Sequence, residues 1–395
     1  CEMCIRDRNT TTRSNKLPEV LKGLYDEETY RKQQDYEGAN YRFGLISDGL
    51  SFALILLMLF FKGFALVDLF VINFTPSPIL QAVLFFGILA FVSDLLSIPL
   101  DLYHTFVIEE RFGFNKTTPR TFILDKLKGW LIGAVLGGGI LALIVFIYEK
   151  SGSWFWLLAW VCISLVTLFI SYFYTTLLVP IFNKLTPLPS GELRDSIEKV
   201  AASARFNLKD ISIMDGSKRS SRGNAYFSGF GRKKSIVLFD TLVSEHSVDE
   251  LTAILAHEIG HYKKKHVLKG LISGVLQTGV LLFVLSLLLK SPLPAYALGA
   301  SLPSFHMSVI AFGILYSPVS MVLGILFNAL SRKHEYEADR FALSLSKQGA
   351  WQEALTRLSV KNRSNLSPHP WYVDVLYSHP ALLQRLAAMD GNQGS

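Results

Sequence analysis

Apolar and polar positions along this chain alternate in blocks the thickness of a lipid bilayer. Six apolar stretches, at residues 45–66, 79–100, 127–148, 154–179, 268–289 and 305–330, are each long enough to cross a membrane, which takes about 20 residues of helix. They group as four spans within 45–180 and two within 267–330. Residues 1–44 come first, and from position 9 onward they are polar and aromatic, with Tyr25, Tyr30, Tyr36 and Tyr41 at five- to six-residue spacing. This segment reads as a cytoplasmic helical arm lying along the membrane surface. The loop at 101–126 contains Phe106-Val107-Ile108 and Phe112-Gly113-Phe114, and is too apolar for an ordinary solvated linker.

After Pro180 the pattern becomes that of a small soluble unit, 181–266. Residues 192–203 have helical periodicity. Residues 211–214, 225–227 and the β-branched run 235–239 read as short strands, the last two joined by a turn at Gly229 and Gly231. Ser247 with Glu250 three residues later is a capping box, so a helix starts there. Leu251, Ile254 and Leu255 give that helix an apolar stripe, and it is expected to run through 263–265 into the fifth span. Residues 331–395 form a helical C-terminal region.

Composition agrees with the membrane reading: half of the 395 residues are hydrophobic, 18% are charged, and mean hydropathy is +0.33. Thirty-six of the 39 Lys and Arg fall in 1–44, 101–128, 181–269 and 331–395, whereas the alternate loops hold only Lys62, Lys150 and Lys290. This positive-inside bias places both termini and the 181–266 insertion in the cytoplasm. The formal charge of +7 then reflects topology and attraction to anionic lipid headgroups, with no need of nucleic-acid binding. Three cysteines exclude a disulfide framework: Cys162 sits in an apolar span as a small packing residue, and Cys1 with Cys4 is a weak metal signal. The chain starts without Met, so residues 1–8 are expected to be non-native, and no cleavable signal peptide is visible.

The chemistry lies in His257-Glu258-Ile259-Gly260-His261. Residues four apart share a helix face, so His257 and His261 can offer two imidazoles to one metal while Glu258 points to the adjacent position. Catalytic zinc takes three protein ligands and keeps a place for water, which a neighbouring carboxylate deprotonates. The alternative is a surface helix that happens to carry two histidines. A third ligand is offered after the sixth span, where Glu335 and Asp339 share one helical face. Glu335 is expected as the third ligand, and Asp339 as acceptor of the outer N–H of a zinc-bound histidine. Glu337 points elsewhere and reads as an exposed helix charge. Asp48 lies near a span end, and Asp94 within a span is a candidate chamber residue. His246, His266 and His306 have no partner at ligand spacing.

Together, the H-E-x-x-H, the Glu335-x-x-Ala-Asp339-x-Phe-Ala segment and the span pattern resemble the type I CAAX prenyl proteases, integral-membrane zinc endopeptidases. Phe106–Asn115, Asn224-Ala225-Tyr226-Phe227, Tyr377-Ser378-His379-Pro380 and Leu382-Leu383-x-Arg385-Leu386 add to the resemblance, which runs from Leu17 to Leu386. It implies an all-α polytopic membrane protein, a helical barrel enclosing a chamber, with a small cytoplasmic α+β insertion. It implies one Zn2+ per chain on His257, His261 and Glu335, Glu258 as base, and Asn224 and His379 holding substrate and the tetrahedral intermediate. The family usually has a further span before the segment that resembles 17–41. Residues 1–16 stand in that place and cannot span, so the chain is expected either to be truncated and fused to extraneous sequence or to lack that helix.

The expected activity is zinc-dependent hydrolysis of peptide bonds near the C-terminus of substrates, with prenylated C-a-a-X peptides or proteins as the expected substrate class. One alternative is a membrane quality-control protease that needs no prenyl group. Another is a zinc-stabilised scaffold or lipid carrier, against which Glu258 speaks, since structural zinc is closed by four protein ligands and has no use for a base. The expected partners are a peptide or lipidated peptide and membrane lipid. The protein is expected as a monomer in a bacterial inner membrane, or in the endoplasmic reticulum of a eukaryote, with its active site toward the cytoplasm.

Overall fold

The computed structural model describes residues 9, 17, 22, 26–228 and 234–391. Residues 1–8 (with Cys1 and Cys4), Tyr25, and the turn expected at Gly229 and Gly231 lie outside the described residues. Among the described residues, five helical runs are long and apolar enough to cross a membrane.

Asp26 caps the first run, α1 (Glu27–Phe60), by accepting from the Thr29 amide at 2.7 Å. The second part of the expected arm, from Glu27, and the first expected span are therefore one helix of 34 residues, not a surface helix followed by a span. No proline interrupts the segment, and a glycine inside a helix costs only about 1 kcal/mol. The break comes at Lys62, whose φ of 54° is left-handed, so the span ends at Phe60 and not near Leu66. Beyond it, α2 (Gly63–Phe74) has 12 residues and at about 18 Å is too short to cross. Ser77 caps α3 (Pro78–Tyr103).

The longest run, Pro119–Phe182, contains α4 (Pro119–Ile132), α5 (Gly138–Ser151), α6 (Phe155–Phe173) and α7 (Val179–Phe182). Straight, its 64 residues would reach about 96 Å. It folds instead at Gly152, where φ is +52°, and α5 packs back against α6. The spans expected at 127–148 and 154–179 are the two arms of this hairpin. Phe52, Phe60, Leu131, Leu165 and Leu315 are each more than half exposed, an apolar surface of the kind a bilayer covers. Asp94 on α3 is paired: Lys126 Nζ lies 2.7 Å and Trp130 Nε1 2.8 Å from its two oxygens, and the same ammonium reaches Asp101 at 2.8 Å.

The apolar loop after α3 is structural. Phe112 and Phe114 pack on Tyr36 of α1. The Ser221 amide donates to Phe114 O at 3.1 Å, and Arg219 holds Asp125 at 2.7 and 2.9 Å. The membrane helices are thus tied to the segment that leads into Asn224.

The insertion forms a four-stranded sheet in the order β1-β2-β4-β3, with β1 (Leu185–Pro187), β2 (Asp210–Met214), β3 (Ala225–Ser228) and β4 (Ser235–Phe239). The last three match the expected strands. The first was missed because it is three residues long and ends on a proline, which only an edge strand accepts. β2 and β4 run parallel, and both outer pairs are antiparallel. Helices α8 (Glu192–Ser203) and α9 (Asp240–Glu245) accompany the sheet. Ile197, Ile236, Leu238, Leu251, Leu255 and Ile259 are fully buried in the core it shares with the next helix.

That helix is α10 (Val248–Lys263), opened by the expected Ser247/Glu250 capping box. It does not run into the fifth span. Lys265 adopts φ 59°, left-handed, and α11 (His266–Leu288) starts anew. After the short α12 (Leu293–Ala297), α13 (Phe305–Leu345) carries the sixth span and the third expected ligand on one helix of 41 residues. The chain closes with α14 (Ala350–Lys361), α15 (Pro370–Leu376) and α16 (Leu382–Asp390).

Candidate active site

Helices α10 and α13 cross so closely that any side chain at position 260 would crowd α13. A Cβ there would lie 3.2 Å from both the Cα and the carbonyl oxygen of Ala338, and 3.1 Å from Phe341 Cβ. This approach brings His257 and His261, one turn apart on α10, against Glu335 on α13. His261 Nε2 lies 3.1 Å from His257 Nε2 and 3.2 Å from Glu335 Oε1, and His257 Nε2 lies 3.5 Å from Glu335 Oε2. Among the described residues this is the one group of three or more His, Cys, Asp or Glu whose ligand atoms converge for a metal. Tetrahedral zinc with bonds of 2.0–2.1 Å sets its ligand atoms about 3.3 Å apart. Two imidazoles and a carboxylate at these separations fit zinc.

Asp339, one turn beyond Glu335, faces the other nitrogen of His257, with Oδ1 3.0 Å from Nδ1. It also accepts from Arg385 Nε at 2.9 Å and Trp351 Nε1 at 3.2 Å. The Trp351 ring stacks on His257 with centroids 4.7 Å apart, and Arg385 Nη1 lies 3.4 Å from Glu335 Oε2. Arg385 is only 7% exposed. Against the cost of burial, His257 and His261 and then Arg385 hold the Glu335 carboxyl below the usual carboxylate range, and His257 and Arg385 do the same for Asp339. Sequence reasoning gave Trp351 no role and met Arg385 only as part of a motif. The signal available for Arg385 was a lone cation on an apolar stripe, Leu382, Arg385, Leu386 and Met389.

Glu258 and both histidines line a cleft of about 420 Å³ with Asn224, Phe227, Glu335 and His379. Burial pushes the Glu258 carboxyl above the usual carboxylate range, against the pull of His257 and His261. Asn224 immediately precedes β3, and among the described residues the sheet order leaves the outer edge of β3 unpaired, so an extended chain can be hydrogen-bonded there. His379 sits between α15 and α16, its side chain 65% exposed, with Nε2 3.4 Å from Glu335 Oε1. Arg332 of α13 holds that loop by donating to Val373 O at 3.0 Å and Tyr377 O at 2.8 Å.

All seven residues singled out from the sequence therefore meet in one place. One other needs correcting. Glu337 is no free helix charge: its Oε2 lies 3.1 Å from His266 Nε2, and His266 Nδ1 lies 3.1 Å from His261 Nδ1. His306, outside the metal-facing group, pairs with Asp68 on α2 at 2.6 Å. A second, larger cavity of about 910 Å³ lies between α6 and α11 and shares Phe227, Tyr262 and Val267 with the cleft.

Residues 7–184 match the family described as CAAX prenyl protease N-terminal, five membrane helices, and residues 187–393 match peptidase family M48. The chain is 35% identical over 401 residues to CAAX prenyl protease 1 of Saccharomyces cerevisiae, covering 95% of this chain and 88% of the relative. To the CAAX prenyl protease 1 homolog of Homo sapiens it is 31% identical over 431 residues, covering 97% and 90%. The crystal structure of S. mikatae Ste24p matches with a TM-score of 0.92 and 34% identity, over 98% of this chain and 95% of that one. The helical membrane architecture implied by the sequence is therefore the fold, and the chain belongs to peptidase family M48, as an integral-membrane metalloendopeptidase.

Proposed function

We propose that this protein is a zinc endopeptidase that cleaves near the C-terminus of prenylated C-a-a-X substrates, with His257, His261 and Glu335 as the metal-holding residues. The observation that carries the reading is the convergence of these three side chains within 4.8 Å, in the same cleft as Glu258 and the free edge of β3. Zinc held there supplies Lewis acidity to a water molecule and to the scissile carbonyl.

The protein's own groups do the rest. Glu258, raised in pKa by burial, takes the proton from the attacking water and delivers it to the leaving amine. The Asn224 amide and a His379 N–H donate to the oxygen on which negative charge develops. The edge of β3 holds the substrate extended, and Asp339 orients His257. The cavity between α6 and α11 is lined by apolar and small residues, among them Ile163, Ile170, Leu271, Gly270 and Gly274. Its continuity with the cleft favours a lipid-bearing substrate over an unmodified peptide. The distribution of Lys and Arg supports six crossings with both termini and the active site on the cytoplasmic side. The eukaryotic relatives favour the endoplasmic reticulum.

Cleavage of a farnesylated C-a-a-X peptide and of its unprenylated twin by the purified chain tests this reading. Preference for the farnesylated peptide is expected. Equal cleavage of both would favour the quality-control reading.

A further inference from the structure

We propose that His266 and Glu337 act as positioning residues that fix the proton of His261 on Nδ1 and so turn its Nε2 lone pair toward the metal position. The proposal rests on the reading of His257, His261 and Glu335 as the metal-holding set.

The backbone arranges this contact deliberately. In an unbroken helix, five residues advance about 140° around the axis once full turns are removed, which would carry His266 away from the face of His261. The left-handed Lys265 ends α10 and turns His266, the first residue of α11, back beneath His261. His266 is 5% exposed, and its ring stacks on His334 with centroids 4.0 Å apart and planes 12° from parallel. Its rotation is therefore restricted.

The direction of the hydrogen bonds follows from donor chemistry. The Glu337 carboxylate only accepts, so the proton between it and His266 belongs to His266 Nε2, at 3.1 Å. A neutral imidazole with its proton on Nε2 carries a lone pair on Nδ1. That lone pair faces His261 Nδ1 at 3.1 Å, so His261 must donate from Nδ1. The remaining nitrogen of His261, Nε2, is then unprotonated, and it is the one 3.1 Å from His257 Nε2 and 3.2 Å from Glu335 Oε1. His257 needs no intervening ring: its Nδ1 lies 3.0 Å from Asp339 Oδ1. Each metal-facing imidazole thus ends on a carboxylate, one at first remove and one through a second ring.

Groups that orient a ligating histidine are typically worth about 10–100-fold in metal affinity. The test is zinc affinity of the full-length purified chain by chelator competition, with thermal unfolding of the zinc-free protein alongside. His266→Phe keeps the ring and removes the acceptor, and should weaken zinc binding about 10–100-fold. His266→Asn puts an amide oxygen near the place of Nδ1 and should recover most of that loss. Glu337→Ala, at the less buried end of the relay, should fall between them, and it carries the test if His266→Phe fails to fold. A purely packing role predicts the opposite order, with Asn worse than Phe, and that order would overturn the proposal. So would zinc binding at the parent's strength in both His266→Phe and Glu337→Ala. His261→Ala and Glu335→Ala separate the two levels: if they keep zinc, the metal assignment itself fails, whereas if they lose it while the relay variants do not, only the relay fails.

Discussion

Replacing Gly260 by alanine drives a methyl group into α13, and the structure sets the size of the effect. The added carbon would meet Phe341 Cβ at 3.1 Å and the Ala338 Cα and carbonyl oxygen at 3.2 Å, where carbon contacts settle at about 3.5–4.0 Å. Two of the three obstacles are backbone, so relief requires α10 and α13 to part by about 0.5 Å. Glu335 rides on one helix and His257 and His261 on the other, while metal–ligand distances tolerate only about 0.2 Å. Overpacking of this kind costs about 1–3 kcal/mol, more than the roughly 1 kcal/mol that alanine gains over glycine in a helix. The zinc-free protein can relax by separating the helices, but the zinc-bound one cannot, so the strain should appear as an affinity about 5- to 150-fold weaker. Gly274→Ala on α11 is the matched control, because nothing lies within 4 Å of its Cβ position. It should leave zinc affinity unchanged and hold or raise the unfolding temperature. Chelator competition and differential scanning measure both quantities, and a Gly260→Ala variant that binds zinc within twofold of the parent would refute the reasoning.

Further outcomes follow from the same geometry. Asp339→Ala should weaken zinc about 10–100-fold, partly rescued by excess metal, and should lower stability by several kcal/mol because buried Arg385 keeps only Glu335 as a counter-charge; an unchanged melting curve would argue against that pairing. Asn224→Ala and His379→Ala should each slow turnover by about 10–1,000-fold while zinc content stays at one per chain; loss of metal in either would move that residue into the ligand set. Single cysteines at Ser217 and Ser291 should label from opposite sides of sealed vesicles, and same-side labelling would overturn the six-crossing topology.

The proposed ligand set was legible as two pairs, because helical periodicity places His257 beside His261 and Glu335 beside Asp339, while the packing of α10 on α13 is what joins the pairs. The edge strand at Asn224 was legible too, as the short run 225–227 set off by the glycines at 229 and 231. What could not be read were the breaks. Lys62 and Lys265 adopt left-handed conformations that lysine composition does not announce, so the end of the first span was misplaced and α10 was expected to continue. The second of these breaks creates the His261–His266 contact. Its other end, Glu337, is 71 positions away, and only the packing of α11 on α13 brings it near. Arg385 and Trp351 are of the same kind: their roles arise from tertiary contacts with Asp339, not from spacing along the chain.

The central claim, that Glu258 acts as proton carrier at a metal held by its neighbours, is tested most directly by single-turnover cleavage with Glu258→Ala. The variant should fold, hold one zinc and bind peptide, yet cleave about 10²–10⁴-fold or more slowly than the parent. Cleavage at the parent's rate, with zinc still bound, would contradict the account and leave the metal a structural role.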